Sequence, residues 1–148
     1  MFIICDTKND AYKKLIDLAF DVCDEFILVI RKDPGLYLDD CGMLVLEKLK
    51  DSLKEMKEES EWVSNKLFDQ TASVYYYSTD NKAREIIKEA SNSLHSWIHP
   101  NLPEDLSFIK NGSPWLINNS HEHESYIKTN DKEEISKLLN INGLDIRL

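Results

Sequence analysis

Two histidines separated by one residue are the most distinctive chemical pattern in the sequence, in the run His121-Glu122-His123-Glu124. Side chains at i and i+2 of an extended backbone point to the same side, so His121 and His123 would face one metal ion together. Imidazole nitrogens suit zinc, copper, iron or nickel, and a neighbouring glutamate offers a carboxylate ligand. A structural metal site needs about four ligands, and this run does not supply them alone. The pattern indicates either an exposed polar turn or part of a transition-metal site.

A second histidine pair, His95 and His99, has the i, i+4 spacing that places two ligands on one face of a helix. With the first pair it would make a site of four histidines. Pro100 follows at once and is expected to fray that last helical turn. The four-histidine site therefore stays an alternative to two unrelated polar segments.

Glu104 and Asp105 are adjacent carboxylates that could act as a general acid and base, since neighbouring acids shift each other's pKa. Consecutive residues of an extended segment face opposite ways, however, which favours a turn or a helix entry at this point. The chain has no glycine-rich phosphate loop, no nucleophile elbow and no zincin motif. Ser125 occupies the position where a zincin would need its second histidine. No catalytic residue is predicted.

The composition indicates one globular domain spanning residues 1–148, with 42% hydrophobic and 30% charged residues. The formal net charge of −9 argues against binding to nucleic acid or to anionic membranes, and it fits a basic protein partner. Three separate cysteines, Cys5, Cys23 and Cys41, are interpreted as buried free thiols. The chain shows neither a signal peptide nor a run of about 18 apolar residues, so we expect a cytoplasmic protein.

Hydrophobic periodicity predicts an α+β fold with three to four helices, a small mixed or antiparallel sheet and a C-terminal β-hairpin. The predicted helices cover residues 11–23, 39–62, 80–98 and 131–139. Strands are predicted at residues 2–5, 25–31, 72–78, 106–110, 115–118, 126–127 and 144–148. Asn111-Gly112 is the expected hairpin turn.

The predicted strand Ala-Ser-Val-Tyr-Tyr-Tyr-Ser at residues 72–78 concentrates aromatic side chains of the kind that dominate binding hot spots. Alternation puts Tyr75 and Tyr77 on one face, and this face is expected to be open to solvent. Glu55, Glu58 and Glu59, on the predicted long helix beside it, would attract a basic partner. These five residues form the predicted protein-binding surface.

A short C-terminal pattern carries the one resemblance that the chain offers. It runs from Leu102-Pro103-Glu104-Asp105-Leu106-Ser107-Phe108 through Gly112 and Pro114-Trp115 to His121-Glu122. These residues resemble a pattern in uncharacterised small bacterial proteins, some of which carry a sporulation stage III label. The resemblance covers about 25 residues. It implies a bacterial or phage origin and no catalytic residues.

The leading hypothesis is a noncatalytic acidic protein-binding domain, of the kind used by immunity or inhibitor proteins. The first alternative is a metal-dependent enzyme that uses His121 and His123, with a transition metal as its cofactor. The second is a structural or regulatory subunit of a larger assembly.

Overall fold

The structure of the protein is a computed structural model that describes residues 1–35 and 37–147. Its strands and helices, in chain order, are β1 (Phe2–Ile3), α1 (Asn9–Val22), β2 (Glu25–Ile30), α2 (Asp40–Leu49), β3 (Leu53–Glu59), β4 (Glu61–Trp62), β5 (Asn65–Lys66), β6 (Ala72–Ser78), α3 (Asn81–Ala90), β7 (Glu104–Lys110), β8 (Ser113–Asn119), β9 (Glu124–Ile127), α4 (Lys132–Leu139) and β10 (Ile146–Arg147). Short 3₁₀ turns lie at Lys50–Ser52 and Leu94–Ser96. The predicted α+β class is confirmed.

Eight strands form one antiparallel sheet in the order β10-β1-β9-β8-β7-β2-β6-β3, and β4 pairs with β5 in a separate small hairpin. The predicted hairpin is confirmed as β7–β8. Asn111 and Gly112 have φ values of 50° and 81° at its turn. Two consecutive positive φ values match the twist of antiparallel strands, which explains why Asn-Gly signals this turn.

The hydrophobic core lies on both faces of the sheet. The larger cluster packs α1, α2, α3 and α4 against one face through residues such as Leu15, Leu49, Ile87 and Leu138, together with Phe108 of the sheet. A smaller cluster lies on the opposite face and is covered by the β4–β5 hairpin. Its buried members are Ile27, Val29, Trp62, Ala72, Val74 and Ile109.

The predicted helix over residues 39–62 is wrong in its second half. The helix begins after Asp39, whose carboxylate accepts a hydrogen bond from the amide of Gly42 at 3.0 Å, and it ends at Leu49. After the 3₁₀ turn, residues Leu53–Glu59 pair with β6 as an antiparallel strand. Lysine and glutamate favour helices, but ladder hydrogen bonds to β6 override that local preference.

The predicted helix over residues 80–98 is also shorter than expected, because α3 ends at Ala90. Ser91 Oγ donates a hydrogen bond to the carbonyl of Ser93 and accepts one from its amide. Serine side chains that bond nearby backbone groups compete with helical hydrogen bonds, and the short polar segment after Ala90 therefore leaves the helix.

Several smaller features differ from the sequence-based expectations. Cys23 is buried, but Cys5 and Cys41 are exposed free thiols. Asn130 with Glu133 is the capping arrangement that the sequence favours for α4, but the N-cap is Asp131, which accepts from the amides of Glu133 and Glu134. The last predicted strand is present as β10, and Leu148 lies outside the described residues. No helix in the described ranges has the length and apolar character needed to cross a membrane.

Candidate functional site

The carboxylate of Glu104 is fully buried at the start of the central strand β7. It accepts hydrogen bonds from one arginine and two histidines. Oε2 accepts a hydrogen bond from Nε of Arg31 at 2.8 Å. Oε1 accepts from Nδ1 of His99 at 2.8 Å and from Nε2 of His121 at 3.0 Å. Because a carboxylate only accepts, each imidazole carries its proton on the nitrogen that faces Glu104.

Opposing effects act on the pKa of Glu104. Burial by itself raises this pKa, but the hydrogen bond from His99 and the nearby charges of His121 and Arg31 together outweigh burial. The net result is a pKa below the usual value for glutamate, so Glu104 is ionised at neutral pH. The cluster of Arg31, His99, Glu104 and His121 is therefore a buried carboxylate with one fixed countercharge, that of Arg31, and two imidazole donors.

Asp105, the next residue, is buried as well and adopts a left-handed backbone with φ of 58°. The register between β2 and β7 shifts at this point, since Ile27 pairs with Ser107 and Val29 pairs with Glu104. Two steps along β2 thus match three along β7, which defines a β-bulge. The bulge breaks the alternation of side chains, so the expectation that adjacent acids face opposite ways fails here.

Both oxygens of Asp105 are occupied. Oδ2 accepts from Nε1 of Trp62 at 3.2 Å and from the Ser64 hydroxyl at 3.1 Å, and Oδ1 accepts from the Ser120 amide at 3.0 Å. Burial raises the pKa of Asp105, and the charge of Glu104 adds to that rise against the lowering effect of the hydrogen bonds. The guanidinium of Arg31 lies over the Trp62 ring at 5.7 Å and so links the two acids.

Adjacent acids with pKa values moved in opposite directions are an arrangement that enzymes use for acid–base chemistry. In this protein, however, every oxygen of Glu104 and Asp105 already accepts at least one hydrogen bond from the chain itself. A substrate would have to displace these donors. The geometry therefore favours a buried polar network that joins β2, the β4–β5 hairpin, β7 and the turn after β8.

A second polar chain runs from the turn after β8 to His95. Nδ2 of Asn118 donates to the Ser120 hydroxyl at 3.1 Å, and Oδ1 of Asn118 accepts from the Ser125 hydroxyl at 3.0 Å. The Ser125 oxygen lies 3.0 Å from Nε2 of His95. Since the Ser125 proton is given to Asn118, Nε2 of His95 must be the donor to Ser125. Burial, ahead of the charges around it, lowers the pKa of His95.

The structure does not bring His121 and His123 to one common ligand position. They lie in the turn between β8 and β9 rather than in a strand, and His123 has a left-handed φ of 54°. His121 bonds to Glu104, whereas the ring of His123 lies edge-on to His95 with centroids 5.6 Å apart. The expectation that both share one extended face is wrong, because the turn rotates them apart. Within residues 1–35 and 37–147, no group of three or more suitable side chains is placed to hold a metal ion.

The predicted tyrosine surface is only partly accessible. Tyr77 is 1% exposed and stacks on Phe26 in the core with ring centroids 4.9 Å apart, so it does not face solvent as expected. Tyr75 is half-buried and packs at the edge of the same core. The predicted face sharing of Tyr75 and Tyr77 is confirmed, but the helices α1 to α3 cover most of that face.

The three predicted glutamates lie on strand β3 and not on a helix. Glu58 contacts the amine of Lys32 and accepts from the Ser73 hydroxyl at 2.7 Å. Glu59 accepts from the hydroxyl of Tyr76 at 2.9 Å, and Glu55 pairs with Lys57 at 3.3 Å. Their negative charge is therefore partly balanced within the chain, which weakens the attraction that they exert on a partner.

An exposed apolar surface lies instead on α2. Met43 and Leu44 are 54% and 52% exposed, while Val45 and Leu49 of the same helix are buried. The adjoining groove between α2 and the segment after α3 has a volume of about 390 Å³ and is lined by Cys41, Leu44, Val45, Lys48, Ala90, Ser91, Ser96, Asn101 and Leu102. Sequence reasoning missed this surface because it placed the candidate binding residues in the second half of the predicted helix 39–62 and in the tyrosine strand.

Sequence reasoning also missed Arg31, Trp62 and Ser120 as partners of the acidic pair. The available signal was the position of Glu104 and Asp105 directly before the apolar residues of β7, where charged side chains must find partners or stay unburied. The identity of those partners depends on contacts between segments far apart in sequence.

The fold defines an antiparallel α+β protein with helices on one sheet face and a small hairpin on the other. No protein-family model matches the chain, and neither the curated proteins nor the solved structures that were compared with it include a match.

Proposed function

We propose that this protein is a noncatalytic, acidic protein-binding domain, similar in role to an immunity or inhibitor protein of bacterial or phage origin, and that its partner is a basic protein. The observation that carries the proposal is the apolar surface of α2, where Met43 and Leu44 are both more than half exposed. Neighbouring exposed apolar side chains beside a groove are a frequent mark of a protein interaction site.

Charge supports a basic partner. The chain has a formal net charge of −9, and Glu89 is an exposed carboxylate beside Leu44 at the edge of the apolar surface, whereas Glu47 pairs with Lys50 at 2.7 Å. Lys48 is the basic side chain that lines the groove. A partner segment with apolar anchors and flanking lysines or arginines would fill the groove and meet the acidic rim.

The buried acids support the noncatalytic part of the proposal. Glu104 and Asp105 are neighbouring buried carboxylates whose environment resembles an acid–base pair, yet each of their four oxygens already accepts a hydrogen bond from their own fold. Such a network costs free energy to disturb, because a buried group that loses its partner stays desolvated. We assign it the role of fixing the sheet against the β4–β5 hairpin.

Capture of the partner by immobilised protein, followed by binding kinetics, tests this proposal. We expect Leu44→Lys to reduce or abolish retention of the partner, because it places a charge in the apolar groove and adds positive charge facing a basic protein. Leu139→Lys is the matched control, since Leu139 is 58% exposed on α4. Equal retention of the partner by both variants would refute the α2 surface.

Salt dependence tests the electrostatic part. We expect the association rate with the purified partner to fall steeply as salt rises, while the dissociation rate changes less. The triple charge reversal of Glu55, Glu58 and Glu59 to lysine tests whether β3 also attracts the partner. If it does, the association rate of this variant should be lower than that of the wild type. An association rate that is independent of salt would contradict the choice of a basic partner.

A further inference from the structure

Strand β3 forms an open edge of the eight-stranded sheet. It pairs with β6 on one side, and the sheet order places no further strand on its other side within the described chain. Six of its seven residues, Leu53 to Glu58, are exposed and Glu59 is half-buried. The outward amides and carbonyls of an edge strand are a template for pairing with another strand.

The charges along β3 are self-complementary in one antiparallel register. The strand reads Leu-Lys-Glu-Met-Lys-Glu-Glu from Leu53 to Glu59. When a second β3 runs antiparallel with its Met56 opposite Met56, Glu55 lies opposite Lys57 of the second copy and Lys57 lies opposite its Glu55. Opposite charges directly across an antiparallel pair are stabilising.

Neighbouring registers oppose like charges. A shift that centres the pairing on Lys57 places Lys57 opposite Lys57 and Glu55 opposite Glu59, and a shift that centres it on Glu55 places Glu55 opposite Glu55. A centre between Met56 and Lys57 places Glu55 opposite Glu58 but also Lys54 opposite Glu59, and it turns the helix-covered faces of the two sheets to opposite sides. A centre between Glu55 and Met56 places Lys54 opposite Lys57. Like charges directly opposite are destabilising, so the strand specifies one register with a copy of itself.

The faces of the sheet agree with this register. Met56 pairs with Tyr75 of β6 and therefore lies on the helix side, whereas Glu55 and Lys57 pair with Tyr76 and Val74 and lie on the other side. A two-fold axis perpendicular to the sheet keeps each face on its own side. The two Met56 side chains, each 47% exposed, would then meet next to the half-buried Tyr75 rings.

The contacts that Glu55 and Lys57 make within their own chain do not prevent them from pairing with a second copy. The Lys57 amine lies over the Tyr76 ring, 5.1 Å from its centroid. Glu55 and Lys57 also pair with each other at 3.3 Å, and their side chains are 52% and 50% exposed. A pair this exposed gains little free energy from its own contact, so the two groups can turn to partners across the new strand pair at small cost. The register shift between Leu53 and Glu55 displaces Lys54, and the central four-charge arrangement does not depend on that residue.

We propose that β3 is a self-association edge. Two copies of this chain join by antiparallel β3–β3 pairing about a two-fold axis that passes between the two Met56 residues, and the two sheets become one continuous sheet. Glu55 and Lys57 specify the register. This inference concerns a surface other than α2 and does not depend on the proposed partner.

Charge-swap variants test it by sedimentation velocity over a concentration series, with circular dichroism as the check on folding. We expect the wild-type chain to form a dimer that weakens as salt rises. Glu55→Lys and Lys57→Glu each place like charges across the axis, and each should weaken dimerisation about tenfold or more. Lys128→Glu, at an exposed lysine outside β3, is the control for the change in net charge and should leave the dimer unchanged.

Mixing provides the decisive readout. An equimolar mixture of the Glu55→Lys and Lys57→Glu chains restores both opposite-charge pairs, so it should form a heterodimer that is about tenfold or more tighter than the homodimer of either variant. The double variant Glu55→Lys/Lys57→Glu should likewise regain the wild-type dimer. A monomer at every wild-type concentration overturns the proposal, and so do single variants that dimerise normally or a mixture that stays monomeric.

Discussion

Nε2 of His121 lies 3.0 Å from Oε1 of Glu104, so an exposed imidazole in a surface turn donates a hydrogen bond to a fully buried carboxylate. The same oxygen accepts from buried His99. Glu104 is thus the point at which the turn after β8, the segment before β7 and Arg31 after β2 are held together. The stability of the protein should depend on this carboxylate and on pH.

Replacement of Glu104 by glutamine should destabilise the fold by about 3 kcal/mol at pH 7, because it leaves Arg31 and the imidazoles without their negative partner. The lowered pKa of Glu104 stabilises the folded state above the unfolded pKa of about 4.3, and this contribution is lost as pH falls through the folded pKa. The difference between variant and wild type should therefore shrink between pH 7 and pH 3. Urea unfolding at both pH values measures it.

Glu122→Gln is the matched control for that experiment, since Glu122 is exposed in the same turn. Its unfolding free energy should stay within about 0.5 kcal/mol of wild type at both pH values. A Glu104→Gln variant as stable as this control would show that the cluster around Glu104 contributes nothing to the fold.

Replacement of Trp62 by phenylalanine should cost about 1–3 kcal/mol, because Asp105 loses its indole donor while the ring remains to pack against Val29 and Val74. Loss of that hydrogen bond should also raise the pKa of Asp105 further, since the Trp62 donor lowers it. Thermal unfolding provides the measurement. Phe68→Leu is the control, because Phe68 is 83% exposed; equal melting temperatures for both variants would contradict the role of the hairpin.

Replacement of Ile87 by alanine should destabilise the protein by about 2–5 kcal/mol, because this fully buried side chain of α3 packs into the helix-side core. Glu89→Ala, two residues later on the exposed side of the same helix, should change stability by less than about 0.5 kcal/mol. Denaturant titration compares the two. Similar midpoints would mean that α3 packs on a different face.

The three cysteines should react at different rates with a thiol reagent in the native protein. Cys5 and Cys41 are exposed and should be modified rapidly, whereas Cys23 is buried and has a raised pKa, mainly because of its desolvation. Mass spectrometry of partly modified protein gives the modification rates, and the Cys5→Ser and Cys41→Ser variants show which cysteine each rate belongs to. Rapid native labelling of Cys23 would mean that α1 opens more readily than its packing indicates.

Metal analysis of untagged protein should give less than about 0.2 equivalents of transition metal, because His121 and His123 face different partners and a stable site needs about four converging ligands. Titration with Zn²⁺ monitored by calorimetry, with His121→Ala and His123→Ala compared, is the direct test. Stoichiometric binding that both substitutions abolish would restore the metal-dependent alternative.

The sequence by itself determined the elements whose signals are local. The apolar β-branched run of β2, the alternation of β6 and the Asn111-Gly112 turn each follow from steric preferences within a few residues. The α+β class follows from these patterns, because they alternate between periods of two and 3.6 residues.

Only the tertiary structure decided β3, since Leu53–Glu59 has a helix-favouring composition and becomes a strand by pairing with β6. The same is true of the buried acids. Asp105 turns into the network of Glu104 because β7 carries one more residue than β2 can match, and that mismatch exists only once the two strands are paired. Strand pairing joins residues far apart in sequence, and its free energy exceeds the local preferences that a sequence displays.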